Sequence, residues 1–134
     1  MTEAIIGGSL RELRRWLDLG CAVPVAINLP LSYLSERGIA DVISAKVTEA
    51  GVPPHFVTFE ITEQVAMTDV GTCLENIARL RMRGHLFAID DFGVGYSSLQ
   101  QLIRIPASTI KLDRSFVTGV LPGSRAALMI RAII

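Results

Sequence analysis

The chain has 134 residues, half of them hydrophobic, and its 13 basic side chains balance its 13 acidic ones. That length fits one domain, and a cancelled charge gives no electrostatic grounds for wrapping duplex nucleic acid or coating an anionic membrane, leaving room only for a local phosphate site. No apolar run approaches the roughly 18 residues that span a bilayer, and no basic stretch with an apolar signal core opens the chain, so a soluble, cytoplasmic protein is expected.

In chain order, Ser9-Leu-Arg-Glu12 has the spacing of a capping box, and Leu10, Leu13, Trp16 and Leu17 follow at helical intervals as far as Gly20. A first helix is therefore predicted to begin at Ser9. Val23 to Leu29 is a short apolar run that Pro30 breaks, which predicts a strand with Asn28 close to its end. Ile39, Val42, Ile43, Ala45 and Val47 suit one face of a second helix, closed by Gly51, Pro53 and Pro54. Phe56 to Thr62 then reads as a second strand, and Leu74, Ile77, Ala78 and Leu80 mark a third helix that starts after Asp69 and ends at Gly84. Cys21 and Cys73 have neither a CxxC partner nor a nearby histidine spacing, so both are expected to be buried free thiols rather than a disulfide or zinc site. His55 and His85 stand beside Pro54 and Gly84 and are read as structural residues in turns.

The stretch Leu86-Phe-Ala-Ile-Asp-Asp-Phe-Gly-Val-Gly-Tyr-Ser-Ser-Leu99 carries the strongest signal. Its apolar opening suits a buried strand, and Asp90 and Asp91 are predicted to close it. Two adjacent carboxylates at a strand terminus are costly unless something cationic meets them. Gly93 and Gly95 permit unusual backbone angles, and Ser97 or Ser98 would cap a short helix running to Ile103, which Pro106 ends. Thr109 to Asp113 is the fourth strand, and the nearly all-apolar segment from Ser124 is read as helix.

Strands that alternate with helices, each nearly continuously apolar, predict an α/β fold with a parallel sheet and helices outside. An open doubly wound sheet competes with part of a (β/α) barrel, which normally has eight strands in about 250 residues. No Gly-x-Gly-x-x-Gly follows the first strand and no Walker lysine motif occurs, which removes the usual grounds for the open sheet. Asn28, Glu60, Asp90 with Asp91, and Lys111 each fall at or near the carboxyl end of one of the four strands. In barrels that is the face where chemistry is done.

If the strands are neighbours, an amide oxygen, three carboxylates and an ammonium converge on one mouth. Oxygen-only donors suit Mg²⁺ or Mn²⁺ rather than zinc, and a divalent ion there would serve hydrolysis of a phosphoester, with Lys111 on the phosphate or a metal-bound hydroxide. Against this stands a plainer account in which the same residues make salt bridges and caps. Asp91-Phe-Gly also occurs in protein kinases, but the glycine-rich loop, the Val-Ala-Ile-Lys strand and the His-Arg-Asp loop are missing from the sequence.

Asn28-Leu, Phe59-Glu-Ile-Thr-Glu63, Ala88-Ile-Asp-Asp-Phe-Gly-Val-Gly-Tyr-Ser-Ser-Leu99 and Ile110-Lys-Leu-Asp-Arg-Ser-Phe-Val117 resemble, in order and spacing, successive motifs of the EAL domain, the bacterial cyclic di-GMP phosphodiesterase family. The resemblance covers almost the whole chain. It implies a modified (β/α)₈ TIM-type barrel, of which about four parallel strands and their flanking helices lie here. It also implies that cyclic di-GMP is the partner and is opened to pGpG with Mg²⁺ or Mn²⁺. Carried over, it makes Asn28, Glu60, Asp90 and Asp91 metal ligands and places Lys111 against the nucleophilic water or the phosphate. Glu63 would anchor the Asp91 to Ser98 loop, which the family also uses in dimerisation; alternatively Glu63 is a first-turn glutamate favoured by a helix dipole. Val94 stands where the family has threonine and Pro30 where it has serine.

The resemblance also implies that residues 1–134 are a single, truncated domain. The Glu-Ala-Leu segment should lie upstream of Ser9, and the later strands, with a general-base glutamate and a glutamine near the guanine, should follow Ile134. An interior slice of this kind is expected to self-associate, as a homodimer or otherwise, and to hydrolyse little on its own. A non-catalytic module that binds cyclic di-GMP or a protein in signalling is the alternative.

Overall fold

In the computed structural model the residues described are 1–62, 71–92, 105–114, 118, 120–124, 127–128 and 130–131. A continuous apolar stripe at helical spacing, Ile6, Leu10 and Leu13, is fully buried and draws the first seventeen-residue helix, α1 (Thr2–Asp18), back to the start of the chain. The predicted start at Ser9 is therefore wrong. Burial of Ile6 outweighs both the capping box and the poor helix propensity of Gly7 and Gly8. The predicted stop holds, with Gly20 in the left-handed region at φ 77° donating to Leu17 O at 3.0 Å.

Strand β1 (Val25–Asn28) is shorter than the predicted run, and Pro30, at φ −62°, turns the chain into α2 (Leu31–Leu34), a single helical turn that the sequence reading missed. Helix α3 (Ile39–Glu49) follows where predicted, but of its expected apolar face Val42 and Ala45 are exposed, and Ala40 is buried with Ile39, Ile43 and Val47. A 3₁₀ turn, Pro54–Phe56, leads into β2 (Val57–Thr62). Helix α4 (Gly71–Met82) ends before Gly84, which takes φ 90° to feed β3 (Leu86–Phe92). Strand β4 (Thr109–Leu112) completes a parallel sheet of order β1-β2-β3-β4. This is the strand-helix alternation expected of part of a (β/α) barrel. The short helix predicted over Ser98 to Ile103, together with Glu63 and Val94, lies outside the described residues. For the segment after Ser124, Leu128 N donates to Ser124 O at 3.0 Å and Ala127 N to Ser124 Oγ at 3.2 Å, the hydrogen bonds of a capped helical turn.

Alternation along the strands sorts the side chains onto two faces. Phe59, Ile61, Phe87 and Ile89 share one face and, with Ile43, Val47, Ile77 and Leu80 from α3 and α4, are all at most 1% exposed. On α4, Ala78, one of the residues that marks the helix in the sequence, is exposed, and Asn76 is buried because its amide is needed there. Asn76 Nδ2 donates to Leu34 O at 2.8 Å and Glu36 O at 2.9 Å, tying α4 to the end of α2 and the turn after it and satisfying the Leu34 carbonyl that α2 leaves free. Cys73 is buried among these residues, but Cys21 is exposed in the loop after α1, which corrects the expectation of two buried thiols; both are free. His85 is fully buried in the α4–β3 connection, against the Phe59 ring at a centroid distance of 5.4 Å. Among the described residues, no helix is long and apolar enough to cross a membrane.

Candidate active site at the strand carboxyl ends

Register decides which side chains meet. Asn28 pairs with Glu60, Glu60 with Ala88, and Thr62 with Asp90, so the polar tips of the first three strands climb the sheet on one side of the hydrophobic layer. Leu29 N donates to Glu60 O at 2.8 Å, holding the exit of β1 against β2. Between β3 and β4 the ladder shifts. Ile89 pairs with Ile110 and Phe92 with Leu112, so Asp90 and Asp91 together face the single residue Lys111. This is a β-bulge. The extra residue is accommodated at Asp91, the only described non-glycine residue with positive φ (54°). Its amide donates to Asp90 Oδ1 at 3.1 Å.

The base of β4 is set by Ser108. Its N–H and hydroxyl both donate to Phe87 O, at 2.8 and 3.1 Å, and its Oγ accepts from Arg81 Nη1 at 3.1 Å. Asp113 N donates to Phe92 O at 3.1 Å on the far side of the bulge. Lys111 is thus held between two fixed points of the ladder.

Three of the expected site residues come together. Lys111 Nζ donates to Glu60 Oε1 and lies 3.8 Å from Asp90 Oδ1. Glu60 is 7% exposed, a degree of burial at which a carboxylate needs a counter-charge. The hydrogen bond to Glu60, assisted by the charges of Glu60 and Asp90, raises the Lys111 pKa above its usual value and so keeps it an ammonium through the neutral range. Stability from this pairing is fully present below the ordinary lysine pKa and is lost as the pH rises through the higher folded value.

The other two residues are less closely engaged. Asn28 is exposed and joins the rim by register, beside Glu60. Asp91 is exposed and makes no ion pair with a described residue; its amide, rather than its carboxylate, touches the site. Among the described residues no group of three or more histidine, cysteine, aspartate or glutamate side chains gathers as a ready cation cage. The local chemistry nonetheless suits a hard cation. Its donors are oxygen only, and a cationic group already occupies the space between Glu60 and Asp90. Sequence reasoning missed the bulge and the Ser108 anchor. The doubled aspartate, one residue too many for a regular ladder, was the available signal for the first.

Sheet and rim together define a parallel α/β unit whose candidate site residues gather at the carboxyl edge of its strands. The chain belongs to the EAL domain family, whose model matches residues 1–134. It is 42% identical over 125 residues to the cyclic di-GMP phosphodiesterase RocR of Pseudomonas aeruginosa, covering 93% of this chain and 32% of that protein. It is 35% identical over 133 residues to the bifunctional diguanylate cyclase/cyclic di-GMP phosphodiesterase MucR of the same bacterium, covering 98% of this chain and 19% of that one. The chain thus spans a third or less of the length of these curated relatives. Among solved structures, the PaMucR phosphodiesterase in complex with c-di-GMP superimposes with a TM-score of 0.82 at 33% identity, over 98% of this chain and 57% of that one. The EAL domain of Mycobacterium smegmatis DcpA does so with a TM-score of 0.82 at 32% identity, over 95% and 58%.

Proposed function

We propose that this chain is part of a cytoplasmic, metal-dependent phosphodiesterase domain that opens cyclic di-GMP to the linear dinucleotide pGpG. Asn28, Glu60, Asp90 and Asp91 would hold Mg²⁺ or Mn²⁺, and Glu63 would brace the loop after Asp91. The ions would supply electrophilic charge on the phosphate and a water activated at neutral pH. Lys111 would hold the phosphate or the attacking water as a point charge. The observation that carries this proposal is the meeting of Glu60, Asp90 and Lys111 at the carboxyl ends of three adjacent parallel strands. It is supported by the activity named for RocR and by the ligand named for the PaMucR complex.

Titration calorimetry with Mn²⁺ and then cyclic di-GMP tests the proposal. Metal should be needed for nucleotide binding. Asp90→Asn should weaken the metal step at least about tenfold, while Lys111→Ala should weaken the nucleotide step. Nucleotide binding that ignores both metal and Asp90 would favour a non-catalytic binding module, and no binding of either would leave only caps and salt bridges.

Self-association of the 134-residue polypeptide is part of the same proposal. β1 and β4 are the outer strands of the described sheet, and Trp16, Leu19 and Val23 expose apolar surface near β1 in sequence. Light scattering behind size exclusion should give a mass of twice 14.6 kDa or more. A single stable monomer peak would contradict it.

A further inference from the structure

We infer that Lys111 is a resident counter-ion of the rim: with no divalent cation bound its ammonium neutralises Glu60 and Asp90, and it gives up that place when a cation binds. The inference rests on the proposed metal site and adds a competition to it. Glu60 is nine-tenths buried and Lys111 is its described ion-pair partner, so without the ammonium a buried carboxylate would stand alone. The bulge brings the same Nζ within 3.8 Å of Asp90, so one cationic group spans both acids. It does so at Glu60 Oε1, an atom that a divalent ion on Glu60 and Asp90 would compete for. Two centres with three positive charges between them repel at such short range. Lys111 has somewhere to go, because its side chain is 44% exposed on a flexible four-carbon stem. The chain has only one other lysine, Lys46, which pairs with Glu3 at 3.3 Å on the helical side of the molecule.

Mn²⁺ alone, titrated into the 134-residue chain by calorimetry, tests this through Lys111→Gln, which keeps a hydrogen-bond donor for Glu60 and removes the charge. The variant should bind Mn²⁺ about tenfold tighter than the unaltered chain and unfold at a lower temperature without metal, while Lys111→Arg should stay within about threefold of the unaltered chain. An affinity for Lys111→Gln equal to or weaker than that of the unaltered chain overturns the inference. If the unaltered chain binds and Glu60→Gln abolishes binding, the metal site survives that result and only the competition is lost. If the unaltered chain fails to bind Mn²⁺, site and competition fall together. A second measurement needs no variant. The carbon-bound ε-CH₂ resonance of Lys111, next to the paired ammonium, should broaden or shift as Mg²⁺ is added, with that of Lys46 unmoved. A Lys111 signal unchanged at saturating Mg²⁺ overturns the inference equally.

Discussion

Phe59→Ala is expected to remove about 3–5 kcal/mol of folding stability, much of the roughly 5–15 kcal/mol available to a domain of this size. Phe59 is fully buried in a central strand, in register with Ile27 on one side and Phe87 on the other. Its ring lies 5.6 Å from that of Phe87 and 5.4 Å from that of His85, both tilted, so truncation empties a space that three strands and the connection from α4 enclose. It also immediately precedes Glu60, and a slack β2 would carry the carboxylate away from Lys111. Urea unfolding followed by circular dichroism should show the loss as a lower midpoint. A change below about 1 kcal/mol would mean that the layer between sheet and helices is not packed as described.

The second large effect is a dependence on acid. Burial, with a smaller contribution from the nearby Arg83 charge, pushes the His85 pKa down from 6.5 to about 4. Neither ring nitrogen has a hydrogen-bond partner among the described residues. The unfolded chain takes up a proton at this histidine below pH 6.5 and the folded chain does so only near 4. The stability that this histidine contributes is therefore full above 6.5, falls as the pH drops through the interval between those values, and levels off below it. Over the interval the loss approaches about 3 kcal/mol. His85→Leu should remove that part of the slope, so unfolding free energies of the two proteins should diverge between pH 7 and pH 4 in favour of the variant. Parallel curves would contradict the burial of a neutral imidazole.

His85 also illustrates what the sequence could and could not convey. Next to Gly84 it looks like a turn residue, and nothing local says that the turn is folded in against Phe59. The strands were legible because each is a short apolar run ended by proline, glycine or charge, and parallel order follows from the helices between them. Boundaries failed where a tertiary contact overruled a local preference, as at Ile6, whose burial carries α1 past two glycines and a capping box. Asn76 was invisible for a related reason. An amide on a helix face reads as solvent-exposed until the carbonyls of Leu34 and Glu36 are known to lie beside it.

For the site, the residue types and their order along the chain could be read directly, since strand-end acids and a lysine are conspicuous against apolar runs. Which of them touch could not. That depends on a one-residue slip between β3 and β4, which sets Asp90 and Asp91 against Lys111 and leaves the Asp91 carboxylate exposed. A regular ladder would have given each strand one polar tip, with no left-handed residue to absorb the difference.

The central claim is that the carboxylates of Glu60 and Asp90 share one divalent cation at the rim of the sheet. Anomalous scattering at the manganese edge, from crystals of this chain grown with Mn²⁺ and cyclic di-GMP, addresses it most directly. A peak at about 2.1 Å from an oxygen of each carboxylate, with phosphate density beside it, is the expected result. A manganese peak elsewhere, with Lys111 still lodged between Glu60 and Asp90, would contradict it.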